Sequence, residues 1–216
     1  MLVVAAGSGG ARGILLFGPG AGGDPARYQR LLTAASEAGF TVAAPEHERF
    51  DGRAVTDEQM RDRAVGLKAA LAEVDRGDLP VVAAGHSAGG WAALCLAGAQ
   101  PWGRDRRPVE VPVEPRISRL VLVAPTLEWF RGPGALDEVT ADVVAMVGAE
   151  DRVTPPENAD LLRGAPVRTD VRTYQGVGHL DFLSSPPPGV GTTPGLDHEA
   201  FLDRLTTDFV AALTAG

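Results

Sequence analysis

Cysteine is almost missing from this chain. Cys95 is the single one, so no intramolecular disulfide can hold the fold. It sits in an apolar segment with nothing nearby to lower its pKa, and reads as a small core residue. Long apolar runs are missing too. No segment approaches the ~18 unbroken apolar residues of a membrane span, so no membrane partner is expected. Met1 to Ala6 is apolar but short, and lacks the basic segment and longer apolar stretch of a secretory leader. A cytoplasmic location is the expectation. Positive charge is in deficit, with a formal net charge of −8. That argues against the basic face of a nucleic-acid binder. The one basic cluster, Arg104, Arg106 and Arg107, lies among prolines and reads as a solvated loop. There is no internal repeat and no lysine-bearing phosphate loop.

What remains is ordinary globular material. The 216 residues are 44% hydrophobic and 22% charged, enough for one domain, 1–216, with a full core. Short apolar runs alternate with longer amphipathic ones. Strands are predicted at Ile14 to Phe17, Thr41 to Ala44, Pro80 to Ala84, Leu120 to Ala124, Asp142 to Val147 and Arg168 to Tyr174. Helices are predicted at Ala26 to Ala38, from Thr56 to about Val74, and at Ala88 to Ala97, Pro155 to Leu162 and Asp197 to Leu213. Thr56 with Gln59 reads as a capping box. The alternation predicts an α/β fold with a mostly parallel central sheet. The strands are continuous apolar runs, so helices should cover both faces. Pro101 to Arg116 and Ser184 to Gly195 break the rhythm and read as surface loops.

Three segments carry chemistry. The strand ending at Ala84 runs into Gly85-His86-Ser87-Ala88-Gly89-Gly90 and then a helix of small residues. This is G-x-S-x-G in a strand–turn–helix setting. With 27 glycines in the chain, chance supplies ~0.1 such matches, so the serine needs partners. Val143 to Val147 leads into Gly148-Ala149-Glu150-Asp151-Arg152-Val153-Thr154-Pro155. The last strand leads into Gln175-Gly176-Val177-Gly178-His179. A serine hydroxyl becomes a nucleophile only beside a base, and a histidine base needs a carboxylate to fix its tautomer.

The elbow resembles that of the α/β-hydrolases, and the likeness runs from about Ile14 to Leu213. The resemblance implies the order nucleophile, acid, base, here Ser87, Asp151 and His179. Glu150 is one residue out of phase. Of the other histidines, His86 should point away from Ser87, His198 should be solvated, and His47 could line the site. The resemblance also implies an oxyanion hole from the amides of Ala88 and Ala21, the latter in Gly18-Pro19-Gly20-Ala21-Gly22-Gly23. Pro19 stands where the family often carries a loop-bracing histidine. Only 17 residues, Pro125 to Ala141, separate two strands where a cap is commonly inserted. The expected enzyme is therefore lidless, like small serine esterases and dienelactone-hydrolase-like members. Trp129, Phe130 and Phe182 are the expected substrate contacts, with Leu127, Leu180 and Leu183 beside them.

The implied activity is hydrolysis of a small or medium ester, with no cofactor and no metal. Two other readings stay open. One is a non-catalytic small-molecule-binding protein on the same fold. The other is a dinucleotide-binding oxidoreductase, because Gly18, Gly20 and Gly23 also spell G-x-G-x-x-G, with Glu46 beyond the next strand.

Overall fold

Each apolar run becomes a strand because neighbouring residues find cover on opposite faces. In the computed structural model, which describes residues 1–7, 10–75, 77 and 79–215, seven strands form one sheet. They are β1 (Leu2–Val4), β2 (Gly13–Gly18), β3 (Phe40–Ala44), β4 (Val81–His86), β5 (Ile117–Val123), β6 (Asp142–Gly148) and β7 (Thr169–Tyr174). The helices are α1 (Gln29–Glu37), α2 (Asp57–Val74), α3 (Ala88–Leu96) and α4 (His198–Thr214). The strand order is β1-β3-β2-β4-β5-β6-β7. Only β1 runs antiparallel to its neighbour.

Ile14, Leu16, Val81, Ala83, Leu120 and Leu122 point into one core with α2 and α3. Leu15, Phe17, Val82, Ala84, Val121 and Val123 point into the other with α1 and α4. Period-two alternation thus survives, but both phases are apolar because both faces are buried. Thr56 caps α2 as predicted, accepting from the Gln59 amide while the Gln59 side chain returns to Thr56 N–H. Cys95 is fully buried in α3, and burial pushes its thiol pKa up.

The structure corrects the sequence reading in three places. The helix expected over Ala26 to Ala38 opens as a 3-10 turn, Pro25–Tyr28, before α1 begins. Asp24 caps that turn and Pro25 fixes its first φ. The helix expected at Pro155 to Leu162 is entirely 3-10, Pro156–Gly164. The apolar N-terminus, given no secondary structure, is edge strand β1. Its Val3 is exposed while Leu2 and Val4 pack inward.

The connection from β5 to β6 holds one 3-10 turn, Glu128–Phe130, and short turns. Among the described residues no cap domain stands over the sheet. Among the described residues no helix is long and apolar enough to cross a membrane.

The site is placed by a reversal in strand order. The chain leaves β2 toward β3 on one side and returns to β4 on the other. The helix after β2 lies on one face and the helix after β4 on the other. Their loops therefore diverge and leave a crevice at the carboxyl ends of the strands. Gly18 pairs with Gly85 there, and α3 comes down backbone on backbone. A Cβ on Gly89 would stand 1.8 Å from the Gly18 carbonyl oxygen, and one on Gly85 would stand 2.4 Å from Gly89 carbonyl carbon. Backbone cannot yield as a flexible side chain can. Gly89→Ala is therefore expected to cost more than about 3 kcal/mol of stability or to prevent folding. Urea denaturation of the variant checks this, and a loss under about 1 kcal/mol would contradict it.

Candidate active site

Ser87 occupies the turn between β4 and α3 with φ 55° and ψ −118°, a conformation that costs a non-glycine residue of order 1–3 kcal/mol. The surroundings hold it there. Its N–H donates to the Val123 carbonyl at 3.0 Å, and its own carbonyl accepts from Trp91 at 3.1 Å and Thr126 at 3.2 Å. Ser87 is buried at the floor of a cleft of about 820 Å³, which His179 also lines.

Asp151 follows β6 and His179 follows β7, and β6 and β7 are paired. His179 Nδ1 lies 2.7 Å from Asp151 Oδ2. The carboxylate only accepts, so Nδ1 carries the proton and a neutral His179 keeps its lone pair on Nε2. Asp151 Oδ1 accepts from the amides of Val153 and Thr154, both at 2.8 Å. The Thr154 hydroxyl is 2.8 Å from Asp151 Oδ2, 3.0 Å from the Ala124 carbonyl and 3.1 Å from His179 Nδ1. Burial opposes ionisation of Asp151. Hydrogen bonds from His179 and Thr154 outweigh it and hold the carboxyl below its ordinary value. Glu150 is exposed. Ser87 and His179 are not hydrogen-bonded to each other here. Such a contact commonly tightens only with substrate bound.

The glycine loop after β2 lies against this group. Gly20 is so close to Ser87 that a Cβ on it would sit 3.4 Å from the Ser87 Cβ. Among the described residues, the N–H groups of Ala21 and Ala88 donate to no protein acceptor. The bracing histidine that Pro19 displaces has a replacement from another segment. Tyr28, buried in the 3-10 turn before α1, accepts the Gly20 N–H at 3.1 Å. Its hydroxyl meets His86 Nδ1 at 3.0 Å, and His86 Nε2 meets the His179 carbonyl at 3.0 Å. A carbonyl cannot donate, so Nε2 carries the proton of His86 and Nδ1 accepts from Tyr28. One chain of hydrogen bonds thus joins the glycine loop, the elbow and the His179 loop.

Asp181, also missed by the sequence reading, does similar work on the far side. It is buried and accepts from Gly178 N–H at 2.7 Å, Thr193 N–H at 3.0 Å and Thr193 hydroxyl at 2.6 Å. It ties the Ser184 to Gly195 loop to the His179 loop. No motif announces Tyr28 or Asp181, because each is defined by partners far away in the chain or by burial alone.

The other expectations divide. Trp129, Leu180 and Leu183 line the cleft. Phe130, Phe182 and Leu127 do not. Phe130 packs in the core near Trp91, and Phe182 packs on Tyr174 and Phe201. Both sit in 3-10 turns, where adjacent side chains diverge by ~120°, so Trp129 and Leu180 face out while Phe130 and Phe182 face in. His47 is half-buried behind the glycine loop rather than in the cleft, its N–H bonded to Gly23 at 2.9 Å. His198 is not simply solvated, because its Nε2 bonds the Asp181 carbonyl at 2.8 Å. Trp102, Arg104 and the Phe50 to Arg53 segment supply walls that the sequence did not suggest.

The overlapping dinucleotide motif has a different use. Gly18 is taken up by Gly89, and Gly23, at φ 75°, gives passage to the His47 carbonyl. The turn that follows is capped by the Asp24 carboxylate, and Glu46 turns to the chain's amino terminus.

No protein-family model matches the sequence, and no curated protein is similar enough in sequence to match. The fold is that of the α/β-hydrolases. The chain is similar to an alpha-beta serine hydrolase homologue from Coxiella burnetii, with TM-score 0.66, 15% identity, 99% of this chain and 90% of that one covered. It is similar to the butyrate-bound esterase Est2 of Thermogutta terrifontis, with TM-score 0.65, 17% identity, 98% of this chain and 88% of that one covered. A structure described with LipS and LipT, two metagenome-derived lipolytic enzymes, gives TM-score 0.63 and 17% identity, with 96% of each chain covered.

A buried histidine and a half-buried one make stability depend on pH. Burial, with His179 nearby, lowers the pKa of His86 from 6.5 to about 3. Burial, with Arg63 nearby, lowers His47 from 6.5 to about 4. Below about 6.5 the unfolded chain binds these protons and the folded chain does not, so stability falls as pH drops toward about 4. Above about 6.5 neither state is protonated and this loss vanishes. Urea midpoints at about pH 7.5 and about pH 5 check the expectation, and a flat profile would contradict it.

Proposed function

We propose that the chain is a serine esterase acting on small to medium esters through an acyl-enzyme. The observation that carries this is one cleft lined by a strained elbow serine and by a histidine already hydrogen-bonded to a buried aspartate. In the proposed cycle His179 Nε2 takes the Ser87 proton as Oγ attacks the ester carbonyl carbon. Asp151 holds the histidine's tautomer and balances the imidazolium. The amides of Ala21 and Ala88 receive the oxyanion. Collapse expels the alcohol, which takes the proton from His179. Water, deprotonated by His179, then attacks the acyl-enzyme and releases the acid, and the proton returns to Ser87.

Support for the substrate class comes from two sides. Similar structures include an esterase with butyrate bound and lipolytic enzymes. The cleft has aromatic and aliphatic walls at Trp102, Trp129, Leu180 and Leu183 and no cap over it. Such walls suit an acyl or aromatic group of modest size.

Purified protein should hydrolyse short-chain p-nitrophenyl esters and be labelled at Ser87 by a fluorophosphonate. Ser87→Ala should lose at least about 10³ in kcat and all labelling. A non-catalytic binding protein would instead show no turnover and no label in the parent chain. Asp151→Asn should lower kcat by about 10³–10⁴, because the amide no longer holds the tautomer that leaves Nε2 free. Steady-state kinetics measure this, and a loss below about tenfold would count against Asp151 as the acid.

A further inference from the structure

Arg63 is an odd residue to find where it is. It lies on α2, far from any motif, and is only 2% exposed. Among the described residues no carboxylate pairs with it. Its guanidinium instead faces three backbone carbonyls. Nη1 donates to Gly20 at 3.0 Å, and Nη2 donates to Ala21 at 3.1 Å and to Glu48 at 2.8 Å. Phe50 stacks on it, 4.5 Å from ring centroid to guanidinium carbon. Burying a cation without a counter-charge is costly. It lowers the Arg63 pKa to about 10, through burial set partly against the nearby Tyr28.

The position of that cation explains the cost. The Gly20–Ala21 peptide is trans and planar, so its N–H points opposite to its carbonyl. The carbonyl is held by Arg63 and by the Gly23 N–H at 2.9 Å. The Ala21 N–H is thereby turned away from Arg63, and Gly20 itself abuts Ser87. A cation on the carbonyl oxygen also polarises the peptide and strengthens its N–H as a donor. A neutral donor such as the Gly23 N–H polarises it less.

We infer that Arg63 is a positioning residue for the oxyanion hole, fixing the Gly20–Ala21 peptide with its N–H toward the reacting oxygen and charging it from behind. The inference rests on the proposed esterase function and adds a residue that no triad motif contains. A residue acting this way raises kcat and leaves ground-state binding alone.

The test uses the full chain, p-nitrophenyl butyrate as substrate and a short-chain alkyl trifluoromethyl ketone as the tetrahedral analogue. Arg63→Met is expected to lower kcat by about ten- to a hundredfold with KM within about threefold, and to weaken the ketone by a similar factor. Near-UV circular dichroism establishes that the variant is folded. If Arg63→Met does not fold, Arg63→Lys decides. It keeps the charge but loses the fork, and should lose about three- to thirtyfold in kcat with the same split. Wild-type kcat in a folded variant overturns the inference. So does a rise in KM alone, or a fall in kcat that leaves the ketone's affinity unchanged. A parent chain without esterase activity or Ser87 labelling overturns the function itself, and is told apart because it appears before any Arg63 variant is made.

Discussion

Between Gly18 and Gly89 two stretches of backbone touch with no side chain between them. That contact sets how far α3 can approach the end of β2. Because α3 begins one residue after Ser87, it also sets the height of the serine above the sheet edge. The glycine loop leaves β2 from the same point, so the serine and the loop facing it share one reference. Side chains at Gly18, Gly85 or Gly89 would lift α3 and separate the two. Gly18, Gly85 and Gly89 thus meet a packing requirement at the strand ends, and the likeness to a nucleotide fingerprint follows in part from a shared need for close backbone approach.

Around this contact the protein buries a polar layer that an ordinary core would avoid. Tyr28, His86 and His179 are linked by hydrogen bonds, and Asp151, Thr154 and Asp181 are satisfied within the same layer. Partly satisfied networks destabilise, whereas complete ones specify one arrangement. Here the network joins the end of β4 to the connections that follow β2, β6 and β7. Three loops of independent sequence and a strand end are held as one body, which preorganised chemistry requires.

Much of the fold was legible because parallel strands buried on both faces leave unmistakable apolar runs. That Ser87, Asp151 and His179 come to one end of the sheet was legible for a related reason, since each follows a strand closely and a strand end is a fixed address. What escaped had no such address. Phe130 and Phe182 read as cleft residues because they follow strands, yet 3-10 geometry turned them inward. Tyr28, Arg63 and Asp181 sit in segments whose local sequence is unremarkable. Their meaning comes from partners such as Gly20 and Thr193. Strand β1 was too short and too near the terminus for its alternation to register.

The left-handed backbone of Ser87 has one more consequence. Glycine accepts positive φ without penalty, whereas serine does not. The chain is therefore less stable with serine at position 87 than it would be with glycine in the same turn. Selection for stability alone would not keep serine here. Under the proposed esterase function, a lineage released from the chemistry would drift toward glycine here, while one still bound to it must keep the strain.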